Sequence, residues 1–280
     1  MRNIGLDLGV RKIAFCEIAD GKVIKRCEVK TIDELAPLLG PNTGDAVVAF
    51  EACRTAWHVH DTLREWGQHP KMVDTTRVRQ LGVGGHGRKT DAIDAEHLAR
   101  AVERNTIPEA HVLSPARREM RHETHVRRHL VEARTGTIVT IRSQLVADGL
   151  PLPSCDADQF LAKLRAHKLP AKIRARLAPL VALLTTTETE LVGVDAALEK
   201  RCCENPLIIR LATVPGVGFV LATAFVSVLD DADRFKNAGQ VRSFLGLVPS
   251  ENSSGDRRSL GHITRAGNGY LRALLIQAGW

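Results

Sequence analysis

Four carboxylates in the first third of the chain have the type and placement that phosphate chemistry with a metal ion needs. Asp7 lies in Ile4-Gly-Leu-Asp-Leu-Gly9, Glu51 ends the run Val47-Val-Ala-Phe-Glu51, and Asp91 and Asp94 belong to Lys89-Thr-Asp-Ala-Ile-Asp94. The first two are lone acids at or near the ends of apolar β-runs. The second two are three residues apart on an expected helix, so both project from one face. Four carboxylates brought together bind hard divalent cations such as Mg²⁺ or Mn²⁺ through oxygen. A lone Asp is unfavourable in a strand, which points to a functional reason for Asp7, and the flanking Gly5 and Gly9 keep the backbone open beside it. Asp91 and Asp94 have a plainer local explanation, because acids and Thr or Asp caps are ordinary at a helix start. Capping, however, predicts nothing about Asp7 or Glu51.

The elements that must position these acids are legible as an α/β pattern. Asn3–Leu8 alternates, with Ile4, Leu6 and Leu8 on one face and Asp7 on the other. Lys12–Ile18 and Val23–Val29 are expected strands joined by a two-residue Asp20-Gly21 turn. Thr31 with Glu34 is expected to form a capping box opening a short helix. Ala46–Phe50 reads as a buried strand, followed by a helix carrying Trp57, Val59, Leu63 and Trp66, and a last strand at Lys71–Val73. Three antiparallel strands, then helix, strand, helix and strand is the order of an RNase H-like fold. The run Gly82-Val-Gly-Gly-His-Gly87 is a loop without the lysine pattern of a phosphate cradle. A helix carrying Ile93, Leu98 and Val102 starts at Thr90.

Beyond residue 112 the period becomes helical. Arg117, Arg118, Arg121, Arg127, Arg128, Arg134 and Arg142, with His122, His125 and His129, outnumber the acids around them. Such clustering is the electrostatic footprint of phosphate binding, against the plainer reading of a solvated face. Pro151, Pro153, Pro170 and Pro179 are expected to interrupt this region. Spaced leucines from Leu177 to Leu198 suit helix pairing or self-association. Val214-Pro-Gly-Val-Gly218 precedes an apolar helix, Phe219–Leu229. The glycine amides, Gly216 and Gly218 among them, could meet a DNA phosphate as in a helix-hairpin-helix module, or could simply form a tight turn between buried helices. The pattern alone leaves these two even. Asn252-Ser-Ser-Gly255 reads as a turn whose hydroxyls bond nearby backbone, and the chain stops at Trp280 within a helical run.

With 280 residues and 44% hydrophobic content the chain can build more than one core. The expected division is 1–112, 113–204 and 205–280. A formal charge of +7 suits a protein that meets polyanions, while 4% aromatics argue against extensive base stacking. The six cysteines form no C-x-x-C pair and suggest no zinc site. Neither a signal peptide nor a bilayer-spanning run is expected, which gives a cytoplasmic protein with reduced thiols and no membrane partner. The opening Leu6-Asp-Leu-Gly-Val10 is shared with actin-like ATPases and sugar kinases, but residues 140–280 lack the second glycine-rich phosphate loop that class requires.

Taken together, the motifs resemble the insertion-sequence-110 family of transposases, RNA-guided DNA recombinases, nearly end to end. Gly5-Leu-Asp-Leu-Gly9, Phe50-Glu51 and Lys89–Asp94 look like that family's RuvC-like acidic tetrad. Val214–Gly218, Phe244-Leu-Gly-Leu-Val-Pro249, Ser253-Ser-Gly255, Ile263-Thr-Arg-Ala-Gly-Asn268 and Leu271-Arg272 look like its C-terminal transposase domain, with Arg265 where the family often has lysine. The resemblance implies a RuvC-like N-terminal domain, a helical or coiled-coil linker and a small, mainly helical C-terminal domain. It implies that Asp7, Glu51, Asp91 and Asp94 hold the metal while Ser254 attacks a DNA phosphate and becomes a phosphoserine, with Ser253 as the alternative. It also implies that Arg257, Arg258, Arg265 and Arg272 hold nucleic-acid backbone. A structured RNA would pair with donor and target DNA, and protomers would work as a dimer or tetramer in which one subunit's acids face another's serine. The competing classes are a metal-only, junction-resolvase-like nuclease, which needs no serine, and a non-catalytic nucleic-acid-binding scaffold.

Overall fold

Alternation of Ile4 and Leu6 with Gly5 requires a strand with two different faces, and the chain builds a sheet covered on both. The computed structural model describes residues 1–75, 77, 90–253 and 257–280. Lys89, Gly82–Gly87, Ser254 and Gly255 lie outside the described residues. The chain divides into two units, Met1–Val112 and Leu113–Trp280, so the regions expected at 113–204 and 205–280 fall together in the second.

In the first unit, β1 (Arg2–Leu8), β2 (Ile13–Ala19), β3 (Lys22–Val29), β4 (Ala46–Glu51) and β5 (His69–Val73) form one sheet in the order β3-β2-β1-β4-β5. β1, β2 and β3 pair antiparallel, whereas β4 runs parallel to β1 and β5 parallel to β4. This mixed α/β arrangement agrees with the RNase H-like expectation. Asp20 and Gly21 both have positive φ, 50° and 71°, as a two-residue hairpin of this hand demands. The capping box does not form. A short 3₁₀ turn, Asp33–Leu35, begins after Ile32 with no side-chain cap, and Glu34 Oε2 instead accepts from the Lys30 N–H at 2.9 Å.

Ile4, Leu6, Val48 and Phe50 face one core, closed by α1 (Ala36–Leu39) and α2 (Ala56–Glu65). The opposite face is built from small residues, Gly5, Ala14, Cys16 and Ala49, and carries α3 (Asp91–Glu103) through Ala95, Leu98, Ala99 and Val102. Gly5 is the point of closest approach. A Cβ there would lie 2.0 Å from the Ala95 carbonyl oxygen and 2.6 Å from the Ala99 nitrogen. The glycine therefore admits the backbone of α3 instead of leaving open space.

The second unit is organised on two long helices, α4 (Pro115–Ala147) and α6 (Ala171–Glu204), with α5 (Ala157–Ala166) between them in sequence. Arg201 pairs with Glu123, Arg127 with Asp195, and Arg176 with Asp148, so partner numbers fall on α6 as they rise on α4 and the helices run antiparallel. Leu177, Leu184, Leu191 and Leu198, seven apart, are all buried against this seam. The leucine stripe expected to serve self-association is thus consumed inside the chain. Pro179 does not interrupt α6 but lies within it. Near the start of so long a helix, packing of Leu177 and Leu184 against α4 and α5 outweighs one lost backbone bond. Against the sequence expectation, α6 is by length and composition apolar enough to cross a membrane, with a mean hydropathy of 1.3 over 18 residues. The same apolarity is what the seam with α4 requires, and such a helix can equally belong to a protein core.

Among the described residues, four further helices and one hairpin follow in this unit: α7 (Pro206–Ala212), α8 (Phe219–Leu229), α9 (Ala238–Phe244), a β6–β7 hairpin (Pro249–Glu251 and Leu260–Ile263) and α10 (Gly269–Ala278). Buried α8 packs on α4, α6, α7 and α10. All six cysteines are free thiols.

Candidate active site

Strand register brings two of the acids to one sheet end. Leu6 pairs with Phe50 across the parallel β1–β4 ladder, so Asp7 and Glu51 occupy the next rung at the C-terminal ends of adjacent strands. By the period of two, Asp7 shares a face with Gly5, and Glu51 shares one with Ala49. That is the face covered by α3. The helix starts at its N-cap Thr90, whose Oγ1 accepts from the Ile93 N–H at 3.4 Å. Asp91 and Asp94 therefore lie in its first turn, where the helix dipole favours negative charge.

The two helix acids have different surroundings. Asp91 is half-exposed, and its Oδ2 is 3.3 Å from Lys12 Nζ, which also donates to Glu28 Oε1 at 2.7 Å. Asp94 is 3% exposed, and its Oδ1 has no hydrogen-bond partner among the described residues. A buried carboxylate oxygen left unmatched is costly unless something pairs with it. Among the described residues, no three His, Cys, Asp or Glu side chains stand close enough to hold an ion together. The donor set, all carboxylate oxygen, and the unmatched oxygen of Asp94 still fit a hard divalent cation, provided that Asp91 is released to close around it.

The basic stretch on α4 is tied into its own unit more than its charge suggests. Arg118 is buried and donates to the Leu113 carbonyl at 2.7 Å. Arg117 lies 3.6 Å from Asp230, whose carboxylate also accepts from the Ser114 N–H and hydroxyl. Arg127 meets Asp195, Arg134 meets Asp158, and Arg142 donates to the Leu152 carbonyl and lies over the Phe160 ring. Arg128 reaches Glu132 and stacks on Tyr270, 5.3 Å from the ring centre. Burial lowers the pKa of Arg121. His125 is held below its ordinary value first by burial, then by Arg121, Arg128 and His122, which keeps it neutral at pH 7.

In the C-terminal region, Gly216 has φ 81°, and a Cβ on it would meet the Ala278 carbonyl at 2.7 Å. The Val214–Gly218 turn therefore packs against the end of α10, while Gly218 caps α8 without a side-chain bond. Arg272 is internally engaged, donating to the Leu245 and Ala266 carbonyls at 3.1 and 2.8 Å. Arg258 lies 3.8 Å from Glu251, whereas Arg257 and Arg265 are exposed, Arg265 with φ 56°. The Ser253 hydroxyl donates to Glu251 Oε1 at 2.8 Å and accepts from the Ser259 N–H at 3.1 Å. Sequence reasoning missed Lys12, Asp195 and Asp230. Lys12 follows a short turn and gives no local signal, and the other two partner arginines 68 and 113 positions away.

Comparison with known proteins matches two family descriptions to the chain. A DEDD-type transposase family associated with IS110 covers residues 4–147, and the one described as "Transposase IS116/IS110/IS902 family" covers residues 209–280. A probable family 20 transposase of Pseudomonas aeruginosa is 29% identical over 90% of this chain and 74% of its own length. The transposase for insertion sequence element IS1111A of Coxiella burnetii is 28% identical over 98% of this chain and 75% of its own. That for IS1328 of Yersinia enterocolitica is 25% identical over 98% and 81%. The chain belongs to the IS110 family of insertion-sequence DNA transposases.

Proposed function

We propose that this transposase cuts and rejoins DNA strands with Asp7, Glu51, Asp91 and Asp94 holding Mg²⁺ or Mn²⁺ and Ser254 as nucleophile. The observation that carries the metal reading is Asp94, whose buried, unmatched oxygen lies on the helix covering the strand face shared by Asp7 and Glu51. A bound divalent ion would supply Lewis-acid stabilisation of the charge that builds on the phosphate. The four acids would hold that ion, and Asp94 is the most buried of them. The serine oxygen forms a bond to phosphorus as the bond to the departing strand breaks. The hydroxyl proton passes to a neighbouring base and the leaving oxygen takes one up.

Ser253 has one specific observation in its favour, because its hydroxyl already donates to a carboxylate, Glu251. Its second bond, from Ser259, also makes it a brace of the β6–β7 hairpin. Ser254 therefore remains the assigned nucleophile by the family motif. Exposed Arg257 and Arg265 would hold backbone phosphates, while a structured RNA pairs with donor and target DNA. Joining two DNA partners calls for a dimer or tetramer, acting in the cytoplasm.

The test is a covalent-adduct assay with Mg²⁺, the element's flanking RNA and donor DNA. A protein–DNA adduct that is lost in Ser254→Ala and in Asp7→Asn is expected. Cleavage that survives Ser254→Ala and Ser253→Ala but not Asp7→Asn would establish a metal-only nuclease instead.

A further inference from the structure

Lys12 stands at the sheet end that carries Asp7 and Glu51. Leu8 pairs with Ile13, so the connection from Gly9 to Lys12 turns directly beside the end of β1. Its path is tight, since a Cβ on Gly9 would meet the Lys12 carbonyl at 2.7 Å. From there the Lys12 ammonium spans two elements, reaching Glu28 on β3 and Asp91 on α3. Both carboxylates hold the lysine's pKa above its ordinary value, Glu28 more strongly, so it stays charged.

We propose that Lys12 is a displaceable counter-ion for Asp91, occupying that carboxylate until a divalent cation takes it. This rests on the acid-site reading above. Asp94 is buried and cannot turn to solvent, whereas Asp91 is half-exposed and already bound to a cation of the chain's own. Closing the acids around an ion therefore requires Asp91 to leave Lys12. Glu28 retains the ammonium at 2.7 Å, so Lys12 need not be expelled when Asp91 departs. The released ammonium then remains at the sheet end as a positive group facing incoming phosphate.

The competition has a sign. A lysine that merely braced Asp91 for the metal would weaken ion binding when removed; a displaceable counter-ion strengthens it. Mn²⁺ binding to the full chain without nucleic acid, followed by calorimetry or electron paramagnetic resonance, separates the two. Lys12→Met should bind Mn²⁺ about two- to fivefold more tightly than the parent, the range expected for one exposed ion pair. Lys12→Arg, which keeps the charge, should bind as the parent does. Arg11→Gln removes the same charge from the exposed neighbouring residue and should also leave affinity unchanged. Affinity that is equal or weaker in Lys12→Met, with Mn²⁺ binding intact in the parent and lost in Asp94→Asn, overturns the counter-ion role alone. So does tightening in Arg11→Gln equal to that in Lys12→Met, which would mark a general field effect. Absence of Asp94-dependent Mn²⁺ binding in the parent overturns the acid-site reading and this inference with it.

Discussion

Replacing Gly5 by alanine tests whether α3 reaches its place only because β1 has no side chain there. The added Cβ would sit 2.0 Å from the Ala95 carbonyl, where ordinary contact begins at 3.4 Å, so the helix backbone must retreat by about 1.4 Å. Neither neighbour can yield alone, because the next contacts, at 2.6 and 2.9 Å, belong to Ala99 and Leu98 of the same helix. Overpacking of a filled core costs about 1–3 kcal/mol. Lifting the helix also thins the dispersion contacts along its whole seam, so a loss of about 3 kcal/mol is expected. With a urea slope of about 2 kcal/mol per molar, the unfolding midpoint of the first unit falls by about 1.5 M. The same displacement carries Asp91 and Asp94 away from Asp7 and Glu51, and a misplacement of that size costs about a hundredfold in rate. Gly136→Ala is the contrast: it lies within α4 with nothing near its Cβ, and should stabilise by about 0.5–1 kcal/mol. A Gly5→Ala midpoint within about 0.3 M of the parent, or undiminished cleavage, would refute the close-approach argument.

Three further outcomes are expected. Leu184→Ala, at a fully buried position of the α4–α6 seam, should lower stability by about 2–5 kcal/mol in urea unfolding; a change below 1 kcal/mol would place the seam elsewhere. Glu17 is held below its ordinary value of 4.5 chiefly by its bond with Arg2, so it contributes stability above that pH and loses it as pH falls through the lowered value. Glu17→Gln should therefore melt below the parent at pH 7 and converge with it under acid, and a gap that persists at low pH would contradict the linkage. DNA affinity should fall steeply with salt, and Arg257→Gln should reduce the log–log slope by about 0.9; an unchanged slope would remove Arg257 from the phosphate contacts.

The sheet was legible in the sequence because its signals are local. Alternation at Ile4 and Leu6, the Asp20-Gly21 turn and the apolar run into Glu51 each depend on residues within a few positions. The acids were legible as types and spacings, but their unequal burial was not, since only the docking of α3 on Gly5 encloses Asp94 and leaves Asp91 outside. The arginines of α4 illustrate the general difficulty. Their clustering suggested an outward face, yet Asp158, Asp195 and Asp230 meet them from distant parts of the chain. The leucines of α6 suited helix pairing or self-association, and the partner proved to be α4 of the same chain. Thr31 and Glu34 carried the capping pattern, but Ile32 opens the turn and Glu34 bonds one residue further back.

The paired long helices have a consequence for how this chain can change length. One apolar cluster, with Ile141 and Leu184, packs α5 toward one end, and another, with Met120 and Cys202, packs α7 and α8 toward the other. At 1.5 Å per residue, Met120 and Ile141 stand about 32 Å apart, a distance set only by residue count. The seam is therefore a ruler with a phase. Deleting one residue from either helix turns everything beyond it by about 100° and points the leucines of α6 away from α4. Removing seven from both keeps every face in register and draws the two clusters together by about 10 Å. Viable length variants in this region should therefore come in matched steps of seven, one on each helix.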